Sequence, residues 1–545
     1  MNTLFDKAVA FHQSGNLILA EKNYISVLKK ENNKSCHYLL GLLYSQKKQF
    51  LLAIKHLESA IPFNHTDGNL ANALAICYQK TGKHKTAIRL INIAISQNPK
   101  NASYCNRKTK ILLSDKQLQK AKTNTLNCIK QFPKFAPAYH TSFNVCNKLS
   151  RPDIALKIMR RGNKNIPNNP EILFNLAQAY LNITSYEKAK AIFTMLAQHD
   201  FKREECLNNL GIIERERGNI KEAEKKFRQA ISLGNNNPVT LWNLSLLLLL
   251  KGNFRPAWKI YDTRLLVWKK TTCFNTIQTW NGEELDNKSI LVLSEQGIGD
   301  QILFAHTFNA LINMAKKVTI ECDLKLHRIF QRSFPKANII KPIPRKTVHK
   351  KMTMDDSHDY KIYSGSILQH LNQNITPSAF LIAKKTNFKC LKNKPNIGFS
   401  WKGATNFKDV KKRSTHIRDW ASLLSHTDYH FYCLQHNIST EDKHRLQSIS
   451  ENIIFPDNIN NENNIETLAE IISQLDLVIS VTNTNVHLAG SMGINTWCLT
   501  PYSPDWPWGL HENKCKWYAS VTLFRQQNNN WKPVFENIEN KLKSI

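Results

Sequence analysis

The chain has 545 residues, 42% of them hydrophobic, and 75 Lys and Arg against 42 Asp and Glu, a net charge of +33. That length allows three or four domains, and that apolar content supports real cores, which excludes a disordered or fibrous chain. Twelve scattered cysteines without a Cys-x-x-Cys pair offer neither a zinc site nor a disulfide framework, so reduced thiols, a cytoplasmic location and no bound metal are expected.

The N-terminus, Met1 to Phe11, lacks the basic start and apolar core of a signal peptide and leads directly into a repeat. One alanine returns as Ala20, Ala53, Ala87, Ala121, Ala155, Ala189, Ala223 and Ala257, at steps of thirty-four residues after a first step of thirty-three. A period of this length predicts stacked helical hairpins, with a small side chain where the second helix presses on the first. Gly15, Gly82, Gly218 and Gly252 fall at the inter-helix turns, where a left-handed backbone is cheapest without a side chain. Pro99, Pro133 and Pro167 close three of the units, while Lys116 and Ser150 occupy the turns of the degenerate fourth and fifth copies. The pattern resembles the tetratricopeptide repeat, in eight copies over residues 1–267. The run Leu244 to Leu250 lies in the first helix of the eighth copy and is too short to cross a bilayer, so no transmembrane segment is expected. A solenoid of this kind presents a concave groove suited to an extended peptide or a folded partner.

The texture changes near residue 268. Residues 268–287 read as a linker, and Ile290 to Leu293 as a strand ending in the glycine turn Gly297, Gly299 and Asp300, before a helical stretch from Ile302 to Met314. Further strands are predicted at Val318–Glu321, Asn396–Trp401, Tyr429–Leu434, Leu477–Val481 and Thr496–Leu499. Strands alternating with helices imply parallel sheets, with ligands outside the carboxyl ends of the strands. The glycine turn lacks the third glycine and following acid of a dinucleotide fingerprint, which excludes NAD. Downstream, Thr482, Asn483, Thr484 and Asn485 stand where a helix N-terminus exposes its N–H groups, a setting for a diphosphate, with His487 in the first turn. From chemistry alone Asp300 is either a general base or the cap of its helix.

The motifs Glu295-Gln-Gly-Ile-Gly-Asp300, Gly398-Phe-Ser-Trp-Lys-Gly403, Arg413-Ser414, Ser480-Val-Thr-Asn-Thr-Asn-Val-His-Leu-Ala-Gly490 and Pro501-Tyr-Ser-Pro-Asp-Trp506 resemble a bacterial family. Its members join tetratricopeptide repeats to a glycosyltransferase domain related to the lipopolysaccharide heptosyltransferases. The resemblance implies a GT-B fold of two Rossmann-like halves, residues 288–390 on the acceptor side and 391–545, with a C-terminal helix, on the donor side. It implies an inverting, metal-independent transfer from a nucleotide-diphospho-sugar, with no cofactor. Asp300 maps onto the proposed base. Thr482, Asn483, Thr484 and His487 would hold the diphosphate, Arg413 maps onto a region where heptosyltransferases carry a lysine, and Gln435 onto a residue near the nucleotide ribose. The loop departs from the heptosyltransferases, which begin it with Asp-Thr where this chain has Thr482-Asn483. The acceptor would be a protein recruited by the repeats. The alternatives are a non-catalytic scaffold with a degenerate transferase domain, or an enzyme acting on a lipid-linked saccharide.

Two features stay open. Trp506, Trp508, Trp517 and Tyr518 either stack on a base or sugar, or pin the C-terminal helix across the two halves. Basic residues cluster between Lys316 and Lys351 and at Lys408, Lys411, Lys412 and Arg413. No nucleic-acid-binding motif accompanies them, so a phosphorylated ligand or an acidic protein is expected and nucleic acid is not.

Overall fold

The computed structural model describes residues 4–61, 67–234, 236–268, 276–343, 358–371, 378–385, 388–403, 412–457, 459 and 465–543. Arg345, Lys346, Lys350, Lys351, Lys408 and Lys411 of the basic clusters lie outside them. Met1–Phe201 forms one unit and Lys202–Ile545 the other. Six hairpins make up the first unit, from Leu4–Gln13 with Leu17–Leu28 to Pro170–Asn182 with Tyr186–Gln198.

All eight periodic alanines are completely buried. The turns repeat with the same period: Gly82, Gly218 and Gly252 have φ near +80°, and Lys48, Lys116, Ser150 and Thr184 adopt φ between 53° and 64° at equivalent positions. Turn geometry therefore persists where glycine is absent, at a conformational cost of about 1 kcal/mol per residue. A second signal at the same spacing opens the first helices. Asn33, Asp67, Asn101, Asn169 and Asn237 each accept a backbone N–H with the side chain at the helix start, worth about 1 kcal/mol apiece.

The second unit begins with the last two hairpins, Arg203–Glu216 with Ile220–Ser232 and Pro238–Leu250 with Phe254–Tyr261, followed by the short helix Thr263–Val267. Two parallel sheets follow. The first contains β1 (Gln278–Thr279), β2 (Ser289–Leu293), β3 (Lys317–Glu321), β4 (Asn338–Ile340) and β5 (Tyr360–Tyr363), in the order β1-β5-β2-β3-β4. The second contains β6 (Asn396–Ser400), β7 (His430–Cys433), β8 (Ile453–Ile454), β9 (Leu477–Val481), β10 (Thr496–Thr500) and β11 (Val521–Arg525), in the order β11-β10-β9-β6-β7-β8. Every residue of β6, β9 and β10 is buried, as expected of parallel strands covered on both faces.

Three details differ from the sequence expectation. Part of the expected linker is sheet: β1 pairs with β5, and Trp280 beside it is buried. The expected helix from Ile302 to Met314 is two helices, Ile298–Ala305 and Phe308–Met314, and the first starts early enough to contain Gly299 and Asp300. The aromatic cluster does not pin the C-terminal helix. That helix, Lys532–Leu542, packs through Phe535 on Trp420 at 5.2 Å between ring centres. Trp506 instead meets Trp258 of the eighth repeat at 5.6 Å and stacks on Phe304 at 6.3 Å. The aromatic rings thus bind the last repeat to the sheets.

A buried ion pair reinforces that junction. Arg264, from the helix after the eighth repeat, donates to both oxygens of Glu295 at the end of β2, at 2.8 Å through Nε, and to Ser366 at 2.9 Å. Arg264 is fully buried and Glu295 nearly so. Burial opposes the guanidinium charge, but the Glu295 carboxylate outweighs it and holds the Arg264 pKa above its ordinary value.

Candidate active site at two switch points

In a doubly wound sheet the crevice lies where the strand order reverses. In the first sheet β3 and β4 extend to one side of β2 and β5 to the other, so the reversal lies between β2 and β5. In the second, β7 and β8 extend to one side of β6 and β9 to the other. The loop after β2 carries the glycine turn, and the loop after β9 carries Thr482 and Asn483. The helices that follow them, Ile298–Ala305 and Thr484–Ser491, pack against each other.

Gly299 permits that contact: a Cβ there would lie 3.0 Å from Cδ2 of His487. Gly297 has no such restriction, with φ −86° and only the Asp300 carboxylate within reach of an added Cβ. The left-handed residue of the turn is Gln296, at φ 60°. It donates to the hydroxyl of Tyr261 at 3.0 Å, so the last repeat also supports the turn.

Asp300 occupies the third position of its helix and accepts the Gly297 N–H at 3.2 Å, closing the helix from inside. It keeps partial access to solvent. Burial pushes its pKa up to about 6, against the Gly297 hydrogen bond, with Asp505 adding repulsion and Arg413 attraction. His487 makes a 3.0 Å hydrogen bond through Nδ1 with the Tyr518 hydroxyl, and its ring leans on Trp508 at 5.1 Å. Burial, then the nearby Arg413 charge, lowers its pKa to about 3, so the imidazole is neutral at physiological pH.

Arg413 pairs with Asp505 at 2.5 Å, while its buried Nε has no hydrogen-bond partner among the described residues. The Thr482 hydroxyl is likewise buried and unpartnered among them. Gly403 lies between the two: its added Cβ would stand 2.9 Å from the Thr482 carbonyl and 3.5 Å from Cβ of Arg413. Thr484, the first helical residue, remains partly exposed.

Asn483 and Gln435 have structural work. The Asn483 carboxamide accepts the Asn485 N–H at 3.0 Å as helix cap and donates to Ser400 at 2.8 Å, tying β9 to β6. Gln435 accepts the N–H groups of Trp401 and Lys402 at 3.2 and 2.8 Å, tying β7 to β6. Beside Gln435, at the carboxyl ends of β7 and β8, opens a cavity of about 590 Å³ lined by Ser439, Lys443, His444 and Phe455, among others. Lys412 pairs with Glu216 of the seventh repeat at 3.1 Å.

The sequence alone did not mark Asp505, Tyr261 or Arg264 as site residues. Asp505 was legible only as a member of a motif, and Tyr518 only as one of the aromatic rings expected to stack on a ligand or pin a helix. Tyr261 and Arg264 belong to the repeat end, and no local signal links them to the glycine turn.

Residues 170–194, the sixth hairpin, match the tetratricopeptide repeat model. The N-terminal hairpins are therefore a solenoid of tetratricopeptide type. The protein FlbA of Caulobacter vibrioides is 22% identical over 330 residues, covering 55% of this chain and 54% of that protein. The chain spans about half the length of that relative. A tetratricopeptide repeat protein from Parabacteroides merdae is 17% identical, covering 45% of this chain and 97% of its own, with a TM-score of 0.37. The C-terminal part of a repeat protein from Cytophaga hutchinsonii is 13% identical, covering 44% and 99%, with a TM-score of 0.36. No helix among the described residues is long and apolar enough to cross a membrane.

Proposed function

We propose that the chain is a glycosyltransferase of GT-B type that moves a sugar from a nucleotide-diphospho-sugar to a protein recruited by its repeats. The observation that carries this reading is the meeting of the two switch-point loops, with a carboxylic acid of pKa about 6 at their contact. A general base is most effective with a pKa near the working pH. Asp300 takes the acceptor hydroxyl proton as its oxygen attacks the anomeric carbon. The bond to the diphosphate breaks on the opposite face, with inversion, as in the heptosyltransferases the chain resembles.

Negative charge then develops on the leaving diphosphate. The N-terminus of Thr484–Ser491, the orphaned Thr482 hydroxyl and Arg413 Nε, and the neutral His487 imidazole supply donors to it. The cavity beside Gln435 suits the nucleoside.

A second reading, a protein-binding scaffold without catalysis, is favoured by the engagement of Asn483, Gln435 and Arg413 within the protein itself. A thermal-shift panel of nucleotide-sugars on the full chain separates the two. Stabilisation by one donor, lost in His487→Ala, supports the transferase. No stabilisation by any donor refutes it.

A further inference from the structure

The turns of the last two repeats face the segment after β10, and a groove of about 730 Å³ opens between them. Its size is that of a ligand-binding cleft. Ile220, Leu249, Phe254, Leu510 and Trp517 form its apolar floor. One wall is preformed, because Arg525 donates to the carbonyls of Trp508 at 2.6 Å, Gly509 at 3.0 Å and Glu512. At the other side Tyr502 packs closely on the Gly218 turn, its hydroxyl 2.8 Å from where a Cβ added at Gly218 would stand. A preformed cleft lowers the ordering cost of binding.

The rim decides the occupant. Its carboxylates are neutralised within the protein, Glu222 by Lys226 at 3.2 Å and Glu512 by Lys516 at 3.1 Å. Lys251 is engaged with Glu224 at 2.5 Å. Lys221 and Lys514 also line the groove, are exposed, and have no acidic partner among the described residues. Two uncompensated positive charges therefore stand over an apolar floor. The rim thus carries lysines together with carboxylates already paired inside the protein, a charge pattern that favours an acidic partner. Trp508 lines the groove and leans on His487, so an occupant lies next to the candidate centre.

We propose that this groove binds a segment of the protein acceptor in which apolar anchors are flanked by acidic residues, and delivers it to the site containing Asp300. The proposal rests on the transferase reading for its purpose, but not for its binding measurement. The test uses the full chain and fluorescein-labelled decapeptides, with phenylalanine and leucine anchors flanked by four aspartates or four lysines. The aspartate peptide should bind, and Lys221→Glu with Lys514→Glu should weaken it at least about tenfold while strengthening the lysine peptide. Leu510→Asp should weaken both. Lys221 and Lys514 are exposed, so their substitution should leave folding unaffected, and circular dichroism checks every variant, Leu510→Asp included, because Leu510 packs partly on the core. No binding of the aspartate peptide, equal binding by all variants, or binding only to phosphatidylglycerol vesicles would overturn the proposal. Nucleotide-sugar binding is measured in parallel. Peptide binding without donor binding keeps the groove and refutes the transferase, and the reverse result refutes the groove alone.

Discussion

Replacing Asp300 by asparagine tests stability and chemistry together. In the native state the carboxyl has a pKa of about 6, against an ordinary 3.8. Between these values the native state binds more protons than the unfolded chain, so stability falls as pH rises through the window. Above pH 6 the penalty is constant. At about 1.4 kcal/mol per pH unit it reaches about 3 kcal/mol, an upper bound because water retains partial access to the group. Asparagine keeps an acceptor for the Gly297 N–H but carries no charge beside Asp505. Asp300→Asn should therefore be more stable than the native sequence at pH 8 by up to about 3 kcal/mol, with no difference at pH 4. Urea unfolding followed by tryptophan fluorescence is the assay, since all eleven tryptophans lie at or beyond residue 242, in the second unit. Sugar transfer should fall by about a hundredfold or more while donor affinity stays within about twofold. A variant no more stable at pH 8, or one that still transfers sugar, would refute the argument and leave Asp300 as a helix cap.

Other outcomes follow from the same contacts. Arg264→Met leaves Glu295 buried and unpaired and should cost about 3–5 kcal/mol in the same unfolding assay, with Arg264→Met plus Glu295→Met recovering much of the loss. Gly299→Ala forces a methyl against the His487 ring, which Trp508 and Tyr518 hold in place. Calorimetric titration should show donor affinity reduced about tenfold there and little changed in Gly297→Ala. His487 stays neutral in the native state down to about pH 3 but is protonated in the unfolded chain below about 6.5. Its contribution to stability is therefore lost as pH falls from 6.5 towards 3. His487→Gln should flatten that part of the acid-unfolding curve, and a curve of unchanged slope would refute the burial argument.

The eight hairpins were legible in the sequence because each repeat folds by local rules, an alanine at the closest helix contact and a left-handed residue at the turn, with an Asn or Asp cap at five of the helix starts. Strands β2, β3, β6, β7, β9 and β10 were legible because parallel strands covered on both faces are largely apolar runs, and β9 was predicted to the residue. Strand β5 (Tyr360–Tyr363), although it lies inside the first sheet, mixes polar and apolar residues and was not. Short edge strands such as β1 and β8, two residues each, lack that signal.

The site was half legible. Sequence placed Asp300 in the glycine turn after one strand and His487 in the first helical turn after another, and only tertiary structure brought the two segments together, because the contact depends on how two sheets pack. It also set the charge states, since the Asp300 carboxyl and the His487 imidazole are ordinary until burial moves one up and the other down. The same packing assigned Asn483 and Gln435 to holding strands together. It also made the last repeat, through Tyr261 and Arg264, a support for the glycine turn. Periodicity records what a helix needs from its neighbour in the chain, and carries no trace of a partner reached across the fold.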